Sequence, residues 1–348
     1  MPEGFLKQSL RGFQPYTPGE QPEDPGGWVK LNTNESGLPP SPRVLEALRR
    51  AVGEDLRLYP SPTAAPARRA IARAYGVQPD QVALGNGGDE LIAMCFRAFA
   101  GAGQRVAYPT PTYPLLEPLC RIHEVEPSEH PLDADWALPA SLAADPAPLK
   151  FVVNPNSPTG TWVGREAIER VVGSAAGVVV LDEAYVDFAP ESRLDLLTEH
   201  PNLLLLRTMS KSYALAGLRI GLALGGSDLI AALDLVKDSY NLDRLAIVAA
   251  VAAVEDQEHH DAIVRHVVAE RAWLAGELRG LGFEVAPSAA NFLLARPPAA
   301  GGQVHQELRR RRVLVRHYDR PPLDGWCRVT IGTRAQHERL LEALGEIL

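Results

Sequence analysis

Cysteine is scarce in this chain of 348 residues: Cys95, Cys120 and Cys327 are odd in number, far apart, and set in no CxxC or Cys/His spacing. That excludes a disulfide framework and a zinc site of the usual ligand spacing, and it fits a reducing compartment. Basic charge is also short. Lys and Arg number 35 against 43 Asp and Glu, a formal net charge of -8. A nucleic-acid binder carries the opposite balance, so any phosphorylated ligand must be met by local arginines. No apolar run approaches the ~18 residues of a membrane span, and Met1-Pro2-Glu3-Gly4 lacks the charged-then-apolar pattern of a secretory signal. These absences lead us to expect a soluble cytoplasmic protein with neither membrane nor nucleic acid as partner. What is present, 46% hydrophobic and 22% charged residues, suffices for one large domain with or without a smaller companion.

Residues 1–42 are rich in proline, glycine and polar residues and carry little periodicity, as an arm that must pack on something else. The pattern predicts a helix over 42–52, capped by Ser41 with Pro42 at its first position. A second helix is predicted over 65–75, ending at Gly76. Strands and helices then alternate: a strand at 82–84 and a helix over 89–100, a strand at 105–108 stopped by Pro109, a strand at 151–153 and a helix over 165–172. The apolar runs 178–181 and 203–206, each bounded by polar residues, read as central parallel strands. Alternation of this kind predicts a doubly wound α/β domain with its ligand at the carboxyl ends of the strands. Beyond about residue 245, helical stretches at 246–254 and 261–281 precede strand-like pieces at 292–294, 313–315 and 328–331. The expected division is an arm over 1–42, a large domain over 43–245, and a small α/β domain over 246–348 that the arm completes.

Thr208-Met209-Ser210-Lys211-Ser212, followed by Ala216-Gly217-Leu218-Arg219, sets a lone lysine among small hydroxylated residues. An amine that is partly desolvated beside positive charge has a lowered pKa and attacks carbonyls. Thr208, Ser210 and Arg219 suit a phosphate, the arginine through paired charge-assisted hydrogen bonds. A carbonyl and a phosphate on one ring describe pyridoxal phosphate. Alone, a Lys-Ser pair reads as a solvated turn; three further motifs alter that reading. Gly85-Asn86-Gly87-Gly88-Asp89-Glu90 lies between a strand and a helix, where backbone N–H groups and the helix terminus attract phosphate. Asp182-Glu183-Ala184-Tyr185 follows the strand at 178–181 and puts a carboxylate where the strands end, with a phenol three residues on. The carboxylate suits a protonated ring nitrogen, and the phenol a ring oxygen. The 29 residues from Asp182 to Lys211 leave room for one α/β unit that returns both to one end of the sheet. Asn154-Pro155-Asn156-Ser157-Pro158-Thr159-Gly160 follows another strand and offers an asparagine amide as a donor.

In this order, the four motifs resemble those of the fold-type I pyridoxal-phosphate aminotransferases, and most closely the histidinol-phosphate aminotransferase family. The resemblance runs nearly end to end, through Pro15-Tyr16-x-Pro18-Gly19, Leu31-Asn32-x-Asn34-Glu35, Tyr59-Pro60, Asn291-Phe292, Val315-Arg316 and Arg328-Val329-Thr330-Ile331-Gly332-Thr333. It implies an α/β fold with a mostly parallel central sheet, a smaller α/β domain and an extended arm. The implied reaction is transamination between L-histidinol phosphate (or imidazole-acetol phosphate) and 2-oxoglutarate (or glutamate), in histidine biosynthesis. By resemblance, Lys211 is the Schiff-base lysine and proton shuttle, and Asp182 the partner of the pyridine nitrogen. Tyr185 and an asparagine of residues 154–156, assigned to Asn156, hold the ring's 3-oxygen. Gly87, Gly88, Asp89, Thr208, Ser210 and Arg219 cradle the phosphate, and Tyr113 stacks on the ring. Tyr59 reaches that phosphate from the neighbouring subunit, which implies a homodimer with shared active sites. Arg328 binds the substrate's carboxylate or phosphate, assisted by Arg316 and by Tyr16 of the other subunit. Aromatic amino acid aminotransferases and a threonine-phosphate decarboxylase share the cofactor motifs or the fold and stand as alternatives. Three residues depart from the family pattern: Ser157 replaces a second asparagine, Gly88 a serine, and Leu116 an aromatic. The basic run 309–312 and His259, His260 and His266 read as solvated helix faces.

Overall fold

Local signals set the first elements. In the computed structural model, which describes residues 3–13, 17–24 and 26–348, strand β1 (Val29–Lys30) precedes helix α1 (Pro42–Ala51). Ser41 Oγ accepts the Arg43 N–H, and Pro42, with no N–H to leave unpaired, opens the helix. Helix α2 (Ala65–Tyr75) stops at Gly76, whose φ of 68° supplies the left-handed turn. Then come β2 (Val82–Asn86), α3 (Gly88–Phe99), β3 (Arg105–Thr110), α4 (Leu116–His123), β4 (Glu126–Pro131), α5 (Ala140–Ala144) and β5 (Leu149–Val153). The chain continues through α6 (Arg165–Ser174), β6 (Val178–Asp182), β7 (Leu203–Thr208), β8 (Ile220–Gly225), α7 (Ser227–Val236) and α8 (Arg244–Val254). It closes with α9 (Gln257–Gly280), β9 (Glu284–Val285), β10 (Phe292–Arg296), α10 (Gly301–Arg310), β11 (Val313–Leu314), β12 (Arg316–His317), β13 (Cys327–Thr330) and α11 (Arg334–Ile347).

Among the described residues, one seven-stranded sheet has the order β2-β8-β7-β6-β5-β3-β4. Strands β3 to β7 are parallel, whereas β8 runs antiparallel to both β7 and β2. Side chains alternate across the sheet with period two. Val179, Leu181, Leu203 and Leu205 pack toward α1, α2, α6 and α8, while Val180, Leu204 and Leu206 pack toward α3, α4 and α7. Both faces are therefore covered, which is why these strands read as unbroken apolar runs. Truncating such a residue, as in Leu205→Ala, is expected to cost about 2–5 kcal/mol, read as a lower midpoint of denaturant unfolding.

Three elements differ from the expectation. Strand β3 runs through Pro109 to Thr110, because its pairing with β5 ends at Ala107 and only the outermost strand β4 continues alongside. The crossover from Asp182 to Leu203 holds two short 3₁₀ turns, Val186–Phe188 and Leu194–Thr198, in place of an α-helix. Pro190 favours extended backbone at Ala189, which sits at ψ 168° and ends the first turn. Helix α8 shares the core of the large sheet, with Ala246, Ile247 and Ala250 packed among Val44 and Ile71. The change of core thus falls between Val254 and Ile263, beyond position 245.

The second core lies on an antiparallel sheet of order β12-β13-β10-β9, closed by α9 and α11. The N-terminal segment is built into it: β1 pairs in parallel with β11, Val29 beside Val313, and Leu31 is fully buried in the same cluster. No helix among the described residues is long and apolar enough to cross a membrane.

Candidate active site

Strands β2, β5, β6 and β7 end at one rim of the large sheet, and β8 begins there. Register explains the rest: Asn86 lies opposite Ile220 and Thr208 opposite Gly221. The reversed direction of β8 therefore brings Arg219 between the turn after β2 and the end of β7. A cavity of about 610 Å³ opens at this rim. Its walls include Gly88, Asp89, Tyr113, Asp182, Tyr185, Thr208, Ser210, Lys211 and Arg219, with Arg316 and Arg328 entering from the small sheet.

One end of the cavity is a small polar cup. Gly87 has φ 84°, and a Cβ there would lie 2.5 Å from Arg219 Nη2; a Cβ on Gly221 would lie 2.5 Å from the Gly87 carbonyl carbon. Only glycines let the backbone and guanidinium approach so closely. Arg219 itself holds φ 50°, a left-handed conformation that is costly for a non-glycine residue and is concentrated at functional sites. Its Nη1 donates to Ser210 Oγ (3.5 Å) and its Nη2 lies 3.4 Å from Asp89 Oδ2. Thr208 Oγ1 donates to Ser210 Oγ at 2.9 Å, and Tyr113 Oη donates to Asp89 Oδ1 at 2.8 Å. With the N-terminus of α3 at Gly88, the cup has the donors and partial charge that a phosphate requires.

Next to the cup, burial pushes the Asp182 carboxyl up to about 7, a rise only partly relieved by the Ala184 N–H that it accepts at 2.9 Å. A half-buried carboxylate of this kind is completed by a cationic partner, and a protonated pyridine nitrogen is one. Lys211 Nζ lies 5.7 Å from the centroid of the Tyr185 ring. Tyr185 packs edge-on against Phe292 and accepts a hydrogen bond at its Oη from Asn34 Nδ2 (3.1 Å). The chain after Lys211 is anchored from below, where Ser212 Oγ donates to Asp187 Oδ2. Asp187 is held down at about 2: burial would raise it, but His260 and Arg207 overcome that. Arg207 also donates to Glu183 Oε2 (2.9 Å) in a buried pair. His260 is therefore not on a solvated face; only 12% of its side chain is exposed, and its Nε2 lies 3.4 Å from Asp187 Oδ2.

Of the other residues that the motifs name, Asn156 does not line the cavity, Arg316 and Arg328 do, and Tyr59 is exposed outside it. Asn156 is buried with both amide hydrogens engaged, one on Pro111 O (3.0 Å) just after β3 and one on Thr159 Oγ1 (2.9 Å) in its own loop. The neighbouring Ser157 lines the cavity instead, and its Oγ accepts from Arg328 Nη1 at 3.3 Å. Tyr59 is 79% exposed, away from the cavity, and stacks on Tyr240. Arg316 lines the cavity but donates to the carbonyls of Thr17 (3.1 Å) and Pro18 (3.2 Å) in the arm. Arg328 donates to Asn32 O (3.1 Å), and its buried Nε has no hydrogen-bond partner among the described residues. Tyr16 lies outside the described residues. Arg309 is paired with Glu20 of the arm rather than solvated alone. Asn34, Glu183, Asp187 and Arg207 were not singled out by any motif role; adjacency to Asp182 is the one signal that pointed to Glu183.

The chain matches the family model for aminotransferase class I and II over residues 26–344. It is 43% identical over 343 residues to a histidinol-phosphate aminotransferase of Geotalea uraniireducens, covering 98% of this chain and 99% of the relative. Identity to a histidinol-phosphate aminotransferase of Aromatoleum aromaticum is 45% over 351 residues, covering 97% and 98% of the two chains. Among solved structures, the histidinol-phosphate aminotransferase of Sinorhizobium meliloti in complex with pyridoxal-5'-phosphate superposes with a TM-score of 0.85 at 27% identity, over 92% of this chain and 91% of that one.

Proposed function

Because the chain belongs to the class I and II aminotransferases, and among them to the histidinol-phosphate aminotransferases, we propose that it exchanges an amino group between L-histidinol phosphate and 2-oxoglutarate with pyridoxal 5'-phosphate held in this cavity. The observation that carries the reading is one cavity that joins a half-buried carboxylate raised to about 7, an amine, a glycine–arginine cup and two guanidinium groups from the other sheet. When bound, the cofactor supplies an electron-accepting ring and a carbonyl that amines add to.

The chain's own residues do the rest. Asp182 keeps the ring nitrogen protonated, and Tyr113 covers a face of the ring. Gly87, Gly88, Asp89, Thr208, Ser210 and Arg219 hold the phosphate, while Tyr185 and Ser157 face the ring oxygen. Lys211 Nζ moves a proton to and from the amine-bearing carbon of the substrate, a role that contributes about 10²–10⁴-fold in rate. Arg328, with Arg316 beside the arm, binds the anionic end of the substrate. The same reading takes residues 1–42 as an arm, the large sheet with α8 as the cofactor domain, and the antiparallel sheet as the small domain.

Replacing Arg328 with glutamine is expected to raise KM for both 2-oxoglutarate and histidinol phosphate by about 10²-fold with a smaller effect on kcat, since a charge-assisted contact to the substrate is lost. Steady-state kinetics with each substrate varied check it, and unchanged KM values would assign the anion to other groups. Preference is tested by kcat/KM for histidinol phosphate against phenylalanine, with CO₂ release from threonine phosphate measured in parallel. A higher value for phenylalanine moves the protein to the aromatic alternative.

The reading includes a cytoplasmic homodimer in which the exposed Tyr59 serves the partner's phosphate. An inactive Lys211→Ala protein mixed with an inactive Tyr59→Ala protein should then regain activity, because each mixed dimer has one intact site. No recovery after subunit exchange would refute the shared site.

A further inference from the structure

Asn34 lies on the N-terminal arm, is 1% exposed, and adopts φ 56°. Asparagine tolerates this left-handed conformation better than most residues. All of its polar groups are engaged. Its backbone N–H donates to Thr330 Oγ1 (2.9 Å), its carbonyl accepts from Asn291 Nδ2 (3.0 Å), and Thr330 Oγ1 donates to its Oδ1 (3.2 Å). A hydroxyl has one hydrogen, and Thr330 places it on Oδ1, which fixes the amide with Nδ2 toward Tyr185 Oη at 3.1 Å. The opposite amide orientation would leave the Thr330 hydrogen facing a donor.

From this geometry we infer that Asn34 sets the polarity of Tyr185. Because Nδ2 only donates, the Tyr185 oxygen must accept from it, and the phenolic hydrogen is left to point into the cavity that Tyr185 lines. Asn34 is thus a positioning residue. It makes Tyr185 a donor to the ring oxygen, and it ties that polarity to the docking of the arm against β13, where Thr330 resides. The inference rests on the reading that Tyr185 faces the cofactor's ring oxygen.

Asn34→Asp reverses the bond. A carboxylate at this position accepts both from Thr330 and from Tyr185, turning the phenolic hydrogen away from the cavity, and aspartate also tolerates the left-handed backbone. A donor to the ring oxygen favours loss of the proton that this oxygen shares with its neighbouring nitrogen. Losing the donor therefore raises the pH at which the bound cofactor's absorbance passes from its long-wavelength to its short-wavelength band.

The test is that midpoint in the purified holoenzyme, for the parent, Tyr185→Phe, Asn34→Asp and the double variant. Both single variants should move it upward by about one pH unit, and Asn34→Asp should add nothing in the Tyr185→Phe background. Thr330→Val, which frees the amide to rotate, should give a smaller rise and covers the case where Asn34→Asp does not fold. If Tyr185→Phe moves the midpoint but Asn34→Asp and Thr330→Val do not, the inference is overturned while the Tyr185 reading stands. It is equally overturned if the Asn34→Asp shift survives intact without the hydroxyl, since a bare charge effect would then explain it. A midpoint unmoved by Tyr185→Phe removes the underlying reading and the inference together.

Discussion

Protein carrying alanine at position 211 is expected to take up pyridoxal phosphate without developing its long-wavelength absorbance and to lose turnover by about 10⁴-fold or more, because the covalent anchor and the proton carrier are one group. The other lysines make poor substitutes. Lys150 is buried with its Nζ on the carbonyls of Leu142 (3.0 Å) and Ala143 (2.9 Å). Lys30 is paired with Glu35, Lys7 with Glu124, and Lys237 donates to Pro62 O. Lys211 is the lysine that lines the cavity, at the end of a segment held by Ser212 on Asp187. Lys211→Arg keeps the charge but not the attacking amine, and it should fail equally. Retention of the absorbance band in Lys211→Ala would relocate the anchor.

Asp182→Asn should show two effects of opposite sign. With cofactor present, loss of the charged partner of the ring nitrogen lowers kcat/KM by about 10³-fold, the scale on which a preorganised charge acts. Without cofactor, the substitution stabilises. The folded-state carboxyl sits near 7 against an ordinary value of 3.8. A raised carboxyl means that the folded state binds more protons, so this residue's contribution declines as pH rises from about 4 to about 7 and stays at its most unfavourable above that. Asparagine removes the penalty. Cofactor-free Asp182→Asn should therefore melt roughly 2–5 °C above the parent at pH 8 and match it near pH 4. Adding pyridoxal phosphate should stabilise the parent more than the variant. Thermal melts at both pH values, with and without cofactor, check it; a variant that melts lower at pH 8 would contradict the electrostatic account of the site.

Much of the frame was legible because the strands at 178–181 and 203–206 are buried on both faces and so read as apolar runs. The helix boundaries at Ser41, Pro42 and Gly76 were equally open, since caps are written in single residues. Strand β8 was not, because Ile220–Gly225 contains two glycines and runs against its neighbours, so neither composition nor alternation marks it. Yet its direction is what delivers Arg219 to the rim. Strand β4 carries two prolines and mostly polar side chains at the sheet edge, where pairing is satisfied on one side only. The motifs located the four corners of the cavity but not the residues that orient them. Asn156 stood in the expected place by spacing, but its amide hydrogens are taken up by Pro111, from the segment after β3, and by Thr159, and Ser157 is the residue at the cavity wall. Asn34, Tyr185 and Thr330 meet across 151 and 296 positions of separation, a juxtaposition that only the packing of the arm on the small sheet creates. His260 is half-buried because the start of α9 carries it to Asp187, which a helical charge pattern does not reveal.

The most direct test of the whole reading is the absorbance spectrum of the purified protein reconstituted with pyridoxal phosphate, followed as L-histidinol phosphate is added. The account predicts a long-wavelength band that gives way to the shorter-wavelength pyridoxamine form at concentrations far below those of phenylalanine needed for the same change, and that returns on adding 2-oxoglutarate. No band on reconstitution, or a band that histidinol phosphate leaves unmoved while phenylalanine or threonine phosphate discharges it, would contradict the account.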